Sequence, residues 1–543
     1  MGNSTLRTVG TPVQKTTPQS QKAAKGQKKN AAGGYVFVVP KMERIKRFLI
    51  LGSEDAFYVA GSKLTLKRVG DIESVAKSDS AAALIDMIVD VSVRGLAPKQ
   101  DPAIFALALT IVSAEDPAIK AYGYQAVDKI CRTATTLFMF AGFLRQLQGS
   151  GFGMGARKAF LRWYEGRTTD QLAYQMVKYK NREGWSHADL VKLARPTKSK
   201  TDPKFEALMN HALGKDYALG ELPDLVYGVE RVREWENTKN AKVKDLLSLI
   251  SAHKLTWEML PSSALNLPEV WETMLEAKSV PLGALLRQLP RLTKIGVIKE
   301  LGGSTQAIVD RFLDRDALAK ARLHPLNILL AQKTYAAGRS LQNYRDTEGW
   351  TPNRRIIDAL DKAFYLSFEF AEPTGKRFMI GVDISGSMTA QIAGMPISSA
   401  EAAGALSLVT ANIENETHIV GFASQVRDLG ISAGMSLPEA TRRVSNQNFG
   451  STDTAALIRY AREKNIQADV FITITDNDTW AGQRHTHQEL ELYRKTTGIQ
   501  AKSIVLATYA SKFSIADPND PLSLDLVGFD SSTPQVITAF ARD

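Results

Sequence analysis

Five oxygen-bearing side chains are the part of this sequence best suited to chemistry. Asp383, Ser385 and Ser387 fall in the run Asp-Ile-Ser-Gly-Ser, Thr452 in Phe-Gly-Ser-Thr-Asp, and Asp476 in Thr-Asp-Asn. The Asp-x-Ser-x-Ser spacing turns one carboxylate and two hydroxyls inward from a single loop. All five are hard oxygen donors, suited to Mg²⁺ or Mn²⁺ and poor for zinc. A polar turn without a metal would use the same loop residues, but Thr452 and Asp476 in matching contexts favour the metal. An open coordination position would let such a metal activate water. No base stands beside the site, however, and His485 and His487 read as solvated loop residues. No catalytic residue is assigned, and the chain reads as a non-enzyme.

The elements around these residues explain how they converge. Arg377 to Asp383 is an apolar strand. Helix Ser399 to Asn412, strand His418 to Phe422, helix Thr454 to Lys464, strand Asp469 to Thr475, helix Gln488 to Thr496 and strand Ala501 to Ala507 follow. Strands alternating with helices predict a parallel sheet covered on both faces. Asp383 and Asp476 end strands of such a sheet, where ligands of open α/β folds bind. Glu372-Pro373-Thr374-Gly375 is the turn-forming boundary before it.

The preceding 370 residues have a different rhythm. Amphipathic or buried helices are expected over Ser80–Val93, 103–112, Thr133–Gln148, 170–182, 242–251, 281–289 and 323–337, with Asp101-Pro102 as a capped helix start. Many short helices joined by polar turns suggest an α-solenoid of HEAT-like repeats. Residues 1–34 carry six basic and no acidic side chains and too little apolar surface to fold, so they read as a disordered basic tail. The expected domains are therefore 1–34, 35–370 and 371–543.

Charge separates the two main parts. The 543 residues carry a net charge of +11, yet from Ala371 onward 14 basic and 19 acidic side chains give −5, which leaves +16 on the part before. A basic body suggests a polyanionic partner, although surplus lysine also serves solubility. On a helix 170–182, Gln171, Gln175, Lys178 and Arg182 share the polar face opposite Leu172, Met176 and Tyr179. Lys180, His187, Arg287, and Arg157 with Lys158 after the Gly-rich loop 149–155 complete the candidate nucleic-acid contacts. Arginine suits phosphate and also stacks on bases. The loop lacks the Gly-Lys-Ser/Thr ending of a P-loop, which excludes that mode of ATP binding. An ordinary solvated face, an ion pair at Arg287 and a structural His187 are the alternative readings. The single cysteine, Cys131, excludes an internal disulfide and a cysteine-cluster zinc site. No apolar run is long enough to span a membrane and no signal core opens the chain, so a cytoplasmic location in a reducing compartment, without membrane, is expected.

The metal-site residues resemble the metal-ion-dependent adhesion site of von Willebrand factor A domains, with all five ligand types in order. That resemblance implies a bound divalent ion with an open position for a partner's carboxylate. The body resembles the TROVE module of the Ro autoantigen family. The similarity rests on Pro281-Leu-Gly-Ala-Leu-Leu-Arg-Gln-Leu289, Ala321-Arg-Leu-His-Pro325, Gly184-Trp-Ser-His187 and Glu372-Pro-Thr-Gly-Lys-Arg377, with Ala516-Asp-Pro-Asn-Asp520 near the end. One departure is Pro290, where the family often has glycine; proline there is expected to end or kink its helix. The resemblance implies a ring of helical repeats closed by a Rossmann-like A domain. It also implies binding of small noncoding Y-like RNAs and of the 3′ ends of misfolded RNAs, in quality control as a monomeric ribonucleoprotein. An exoribonuclease or another protein would be the A-domain partner. Two other readings stand beside this one: a protein-only adaptor working through the A domain, and a metal-dependent hydrolase.

Overall fold

The computed structural model describes residues 17–18, 20–23, 27–29, 35–38, 41–51, 70–95, 97, 100–149, 151–182, 184–197, 202–339, 349–389, 391–392, 396–445, 452–475, 482–507, 513–517, 520, 522–527 and 533–542. The chain divides into two compact units. One comprises residues 1–39, 375–390 and 399–526; the other comprises 40–374, 391–398 and 527–543. The boundary at 374/375 falls in the expected turn, where Gly375 takes a positive φ of 72°. Two assignments differ from expectation. Residues 27–29, placed in a disordered tail by composition, form strand β1 (Gln27–Lys29), paired antiparallel with β2 (Tyr35–Val38). The last helix, Thr533–Arg542, groups with the helical unit, where the Arg542 guanidinium donates to the carbonyls of Glu372 and Pro373.

The helical unit is built from segments that pack mainly on near neighbours in the chain, the contact pattern of a solenoid. Helix Asp101–Ser113 is buried from Pro102 to Ile111. Helix Pro117–Ile130 packs on it at Gly123, where a Cβ would lie 2.5 Å from Ile111. Asp101 does not cap its helix: it is itself helical, Gln100 precedes it, and no side-chain cap forms. Asp116 and Asp202 do cap the proline-led helices that follow them. Pro290 does not end its helix either. Helix Leu282–Lys294 runs through it, because Leu285, Leu289 and Leu292 keep one apolar stripe buried on both sides of the proline. Helix Thr169–Lys178 stops four residues short of its expected end. The chain turns instead into the hairpin of β3 (Asn181–Arg182) and β4 (Trp185–Ser186), with Gly184 at φ 76° making the turn.

The other unit centres on a six-stranded sheet, ordered β11-β9-β8-β5-β6-β7 among the described residues. Its members are β5 (Arg377–Asp383), β6 (Glu416–Phe422), β7 (Val426–Asp428), β8 (Val470–Thr475), β9 (Lys502–Ala507) and β11 (Ser523–Val527); β10 (Phe513–Ser514) pairs instead with β2. Pairs β5–β6, β5–β8 and β8–β9 are parallel, but β7 runs antiparallel on β6, so the sheet is mixed rather than all parallel. β5 and β8 are near-continuous apolar runs because helices cover them. Met379, Leu457, Phe471 and Tyr493 meet in one of these layers.

Candidate nucleic-acid interface and metal loop

The central strand β5 delivers Asp383 to the carboxyl edge of the sheet, fully buried. Its Oδ1 accepts the Ser385 amide at 2.9 Å, the bond that bends the chain out of the strand. Its Oδ2 accepts the Thr475 hydroxyl at 3.0 Å, from the last residue of the adjacent strand β8. Thr452 is buried on a loop pinned to the end of β6, where the Asp453 amide donates to the Ala423 carbonyl at 3.0 Å. The Asp453 carboxylate is turned to Arg459 at 2.6 Å and so positions this loop. The end of β5 thus carries Asp383 and Ser385, with Thr475 of β8 bonded to the same carboxylate and the Thr452 loop pinned just past β6. Ser387 lies in the 3-10 turn Gly386–Thr389. Its side chain and the whole of Asp476 lie outside the described residues. The donors present are hard oxygens on a buried carboxylate loop, a set that fits Mg²⁺ or Mn²⁺.

His485 and His487 are not solvated. His485 is buried, its Nε2 donating to the Gln21 carbonyl at 2.9 Å and its Nδ1 accepting from the Gln27 side-chain amide at 3.1 Å. Burial lowers the pKa of His487 to about 4. The strand pairing that brings residues 27–29 to this unit is what encloses His485, and no local spacing announces it.

In the helical unit, the structure sorts the candidate RNA contacts into two groups. Arg157 and Lys158 stand exposed on helix Met154–Glu165, with no partner among the described residues. Lys180 and Arg182 are exposed on the hairpin that follows helix Thr169–Lys178. Phe152, which leads into the first helix, packs edge-on against Trp185 at 5.2 Å, and Trp185 is the register partner of Arg182. That contact makes the two cationic elements neighbours.

The remaining residues have internal work. Gln171 closes a capping box with Thr168, its Oε1 accepting the Thr168 amide at 3.0 Å. The Thr-x-x-Gln spacing carried that signal. Gln175 accepts the Ala134 amide at 2.8 Å. Lys178 donates to the Tyr174 hydroxyl at 2.8 Å and pairs with Glu258 at 3.3 Å. Burial opposes its charge, but these two partners overcome it and raise the ammonium pKa. His187, expected at the RNA surface, is 5% exposed. Its Nδ1 meets the Tyr164 hydroxyl at 2.9 Å and its ring lies edge-on to Phe138, and burial lowers its pKa to about 4. As placed, it is a neutral core residue beneath the hairpin, following the Ser186 cap, and its ring is not offered to a surface ligand. Arg287 is exposed, without a partner among the described residues, in a different part of the unit, on a helix packed against Arg315–Ala321 and Pro325–Ala336.

Comparison with known proteins supplies the family. The Ro60 vWA domain model matches residues 377–541, and the TROVE domain model matches 28–254 and 249–347. The RNA-binding protein RO60 of Caenorhabditis elegans is 32% identical over 591 residues, covering 96% of this chain and 91% of that protein. The protein of the same description in Deinococcus radiodurans is 36% identical over 532 residues, covering 97% of each. The crystal structure of the Deinococcus radiodurans RO (RSR) protein matches with a TM-score of 0.75 at 33% identity, over 93% of this chain and 99% of that one. A TROVE body joined to a Ro60-type A domain, shared along nearly the full length of two such relatives, places this chain in the Ro60 family.

Proposed function

We propose that this protein binds small noncoding RNA through the cationic surface of its helical unit, as a ribonucleoprotein component in RNA quality control or stabilisation. The observation that carries this reading is the exposed set Arg157, Lys158, Lys180 and Arg182 on adjoining elements, in a chain whose relatives are described as RNA-binding. Folded Y-like RNAs and the 3′ ends of misfolded RNAs are the expected ligand classes, and a monomer in the cytoplasm is the expected form. Among the described residues no helix is long and apolar enough to cross a membrane. Phosphate neutralisation releases counterions, so affinity for a small folded RNA is expected to fall by roughly 10³–10⁵ between about 50 and 200 mM salt if six to ten phosphates are contacted. Filter binding with the full chain checks this; no binding at the lower salt would end the reading.

In the A domain, Asp383, Ser385 and Thr452, with Ser387 and Asp476, are the residues that would hold Mg²⁺ or Mn²⁺. When bound, the ion would offer a coordination position to an acidic side chain of a protein partner, an exoribonuclease or another RNA-handling protein. The chain's own contribution is the buried carboxylate and the loops that its hydrogen bonds shape. Mn²⁺ titration followed by electron paramagnetic resonance is expected to show one site in the full chain, lost in Asp383→Ala. Because that change also removes two loop hydrogen bonds, Thr452→Val is the second variant, nearly the same shape without the oxygen, and weakened Mn²⁺ binding is expected there too. Mn²⁺ affinity unchanged in both variants would exclude this ligand set.

A further inference from the structure

One short segment of the A-domain unit, residues 482–486, touches the Thr452 loop at two points on its way into helix Thr486–Thr497. Gly482 lies so close to Asp453 that a Cβ there would collide with the carboxylate, and its φ of 102° suits glycine. The hydroxyls of Thr486 and Thr454 share a hydrogen bond at 2.9 Å, and both residues are buried. The same segment meets the N-terminal residues through His485. Its Nδ1 accepts from the Gln27 side-chain amide and its Nε2 donates to the Gln21 carbonyl. The Gln27 Oε1 in turn accepts the Ala23 amide at 2.8 Å. Residues 482–486 thus connect the Thr452 loop to a stretch that lies 458 positions before His485.

Packing alone does not call for polar groups here. Gln27 is 3% exposed, whereas glutamine is mostly a surface residue, and a buried amide is tolerated only while its partners stay in place. Residues 17–29 have no large apolar side chain of their own. The bonds that hold them to this unit are the pairing of β1 with β2 and the contacts of Gln21 and Gln27 with His485. Their docking therefore depends on where segment 482–486 sits. The metal loop is equally demanding. Mg²⁺ requires oxygens at about 2.0–2.1 Å in near-octahedral geometry, so a displacement of roughly 0.2 Å at the Thr452 hydroxyl matters. Asp453 fixes that loop through Ala423 and Arg459, and Thr486 fixes the residue after it.

We propose that Gln27 and Thr486 are positioning residues for the Thr452 loop, so that docking of residues 17–29 on the A-domain unit and binding of the divalent ion favour one another. This coupling rests on the metal site proposed above. Linkage is reciprocal: whatever factor the docked stretch adds to ion affinity, the bound ion adds to docking. The full chain is digested with dilute trypsin, and cleavage after the exposed Lys22 and Lys29 is followed with and without Mn²⁺. When opening is fast relative to cleavage, the rate follows the undocked fraction. Saturating Mn²⁺ is then expected to slow cleavage about fivefold. Asp383→Ala should show no slowing, which separates the effect from any action of Mn²⁺ on trypsin. In the other direction, electron paramagnetic resonance is expected to show Mn²⁺ binding weakened by up to the same factor in Gln27→Leu and in Thr486→Val, the second of which keeps the side chain's shape. Melting curves establish that both variants are folded at the assay temperature. Variants that melt lower but keep wild-type Mn²⁺ affinity would reduce the cluster to a structural role and overturn the coupling. Wild type that binds Mn²⁺ yet is cleaved equally fast with and without it would do the same, and either result leaves the metal site standing. Wild type that binds no Mn²⁺ would remove both.

Discussion

The double reversal Arg157→Glu/Lys158→Glu is expected to weaken binding of a small folded RNA about ten- to hundredfold at low salt. It should also flatten the slope of log affinity against log salt by about 1–2, because each lost phosphate contact removes somewhat less than one unit. Both side chains are exposed and unpartnered among the described residues, so the charges are available and their removal leaves no orphaned internal partner. Lys178→Ala is the informative contrast. Its ammonium is engaged with Tyr174 and Glu258, so its loss should alter RNA affinity much less than the double reversal. Filter binding across a salt series, with melting curves for each variant, separates the two effects. If the double reversal leaves both the affinity and the slope of wild type, the RNA surface lies elsewhere.

Replacing Glu489 by alanine is expected to destabilise the A-domain unit by about 3 kcal/mol, near the lower end of the range for breaking a buried ion pair. Glu489 is 0% exposed, on the first turn of helix Thr486–Thr497. One carboxylate oxygen accepts from Arg462 at 2.7 Å and the other from Arg484 at 2.8 Å. Removing the carboxylate leaves two guanidinium groups without their shared acceptor. Both retain about a fifth of their surface in water, which is why the lower end of the range applies. At roughly 2–4 °C per kcal/mol for a unit of this size, the transition reporting on the A domain should fall by roughly 6–12 °C. Scanning calorimetry of the full chain measures it. Glu489→Gln keeps the shape and loses the charge, so its shift should be smaller. A Glu489→Ala transition within about a degree of wild type would show that the two arginines re-pair at little cost.

The gap between these two clusters in legibility has a physical origin. Strand Arg377–Asp383 was expected at the bounds it occupies, and helix 134–148 lies within a residue of its expected span. Apolar periodicity and cap residues act over one or two turns, so they can be read in place. The same holds for two of the oxygen donors: Asp383 ends a strand and Ser385 follows it because the β/α alternation puts them there, whereas Thr452 precedes a helix and reaches the edge only through a loop bonded past β6. The Gln171 capping box was equally local and was readable from Thr168.

Amino-acid order alone therefore determined most of the helices and the central strands of the sheet, that Asp383 falls at a strand end, and that the first 370 residues carry the positive charge. Tertiary structure alone decided which cations remain available. Lys178 finds Glu258 eighty positions later, and His187 closes under Tyr164 and Phe138. β1 joins β2 and, through it, β10, nearly 500 residues away, and so encloses His485 behind Gln27. Helix and strand preferences are set by neighbours along the chain, whereas charge pairing and burial depend on which distant surfaces meet.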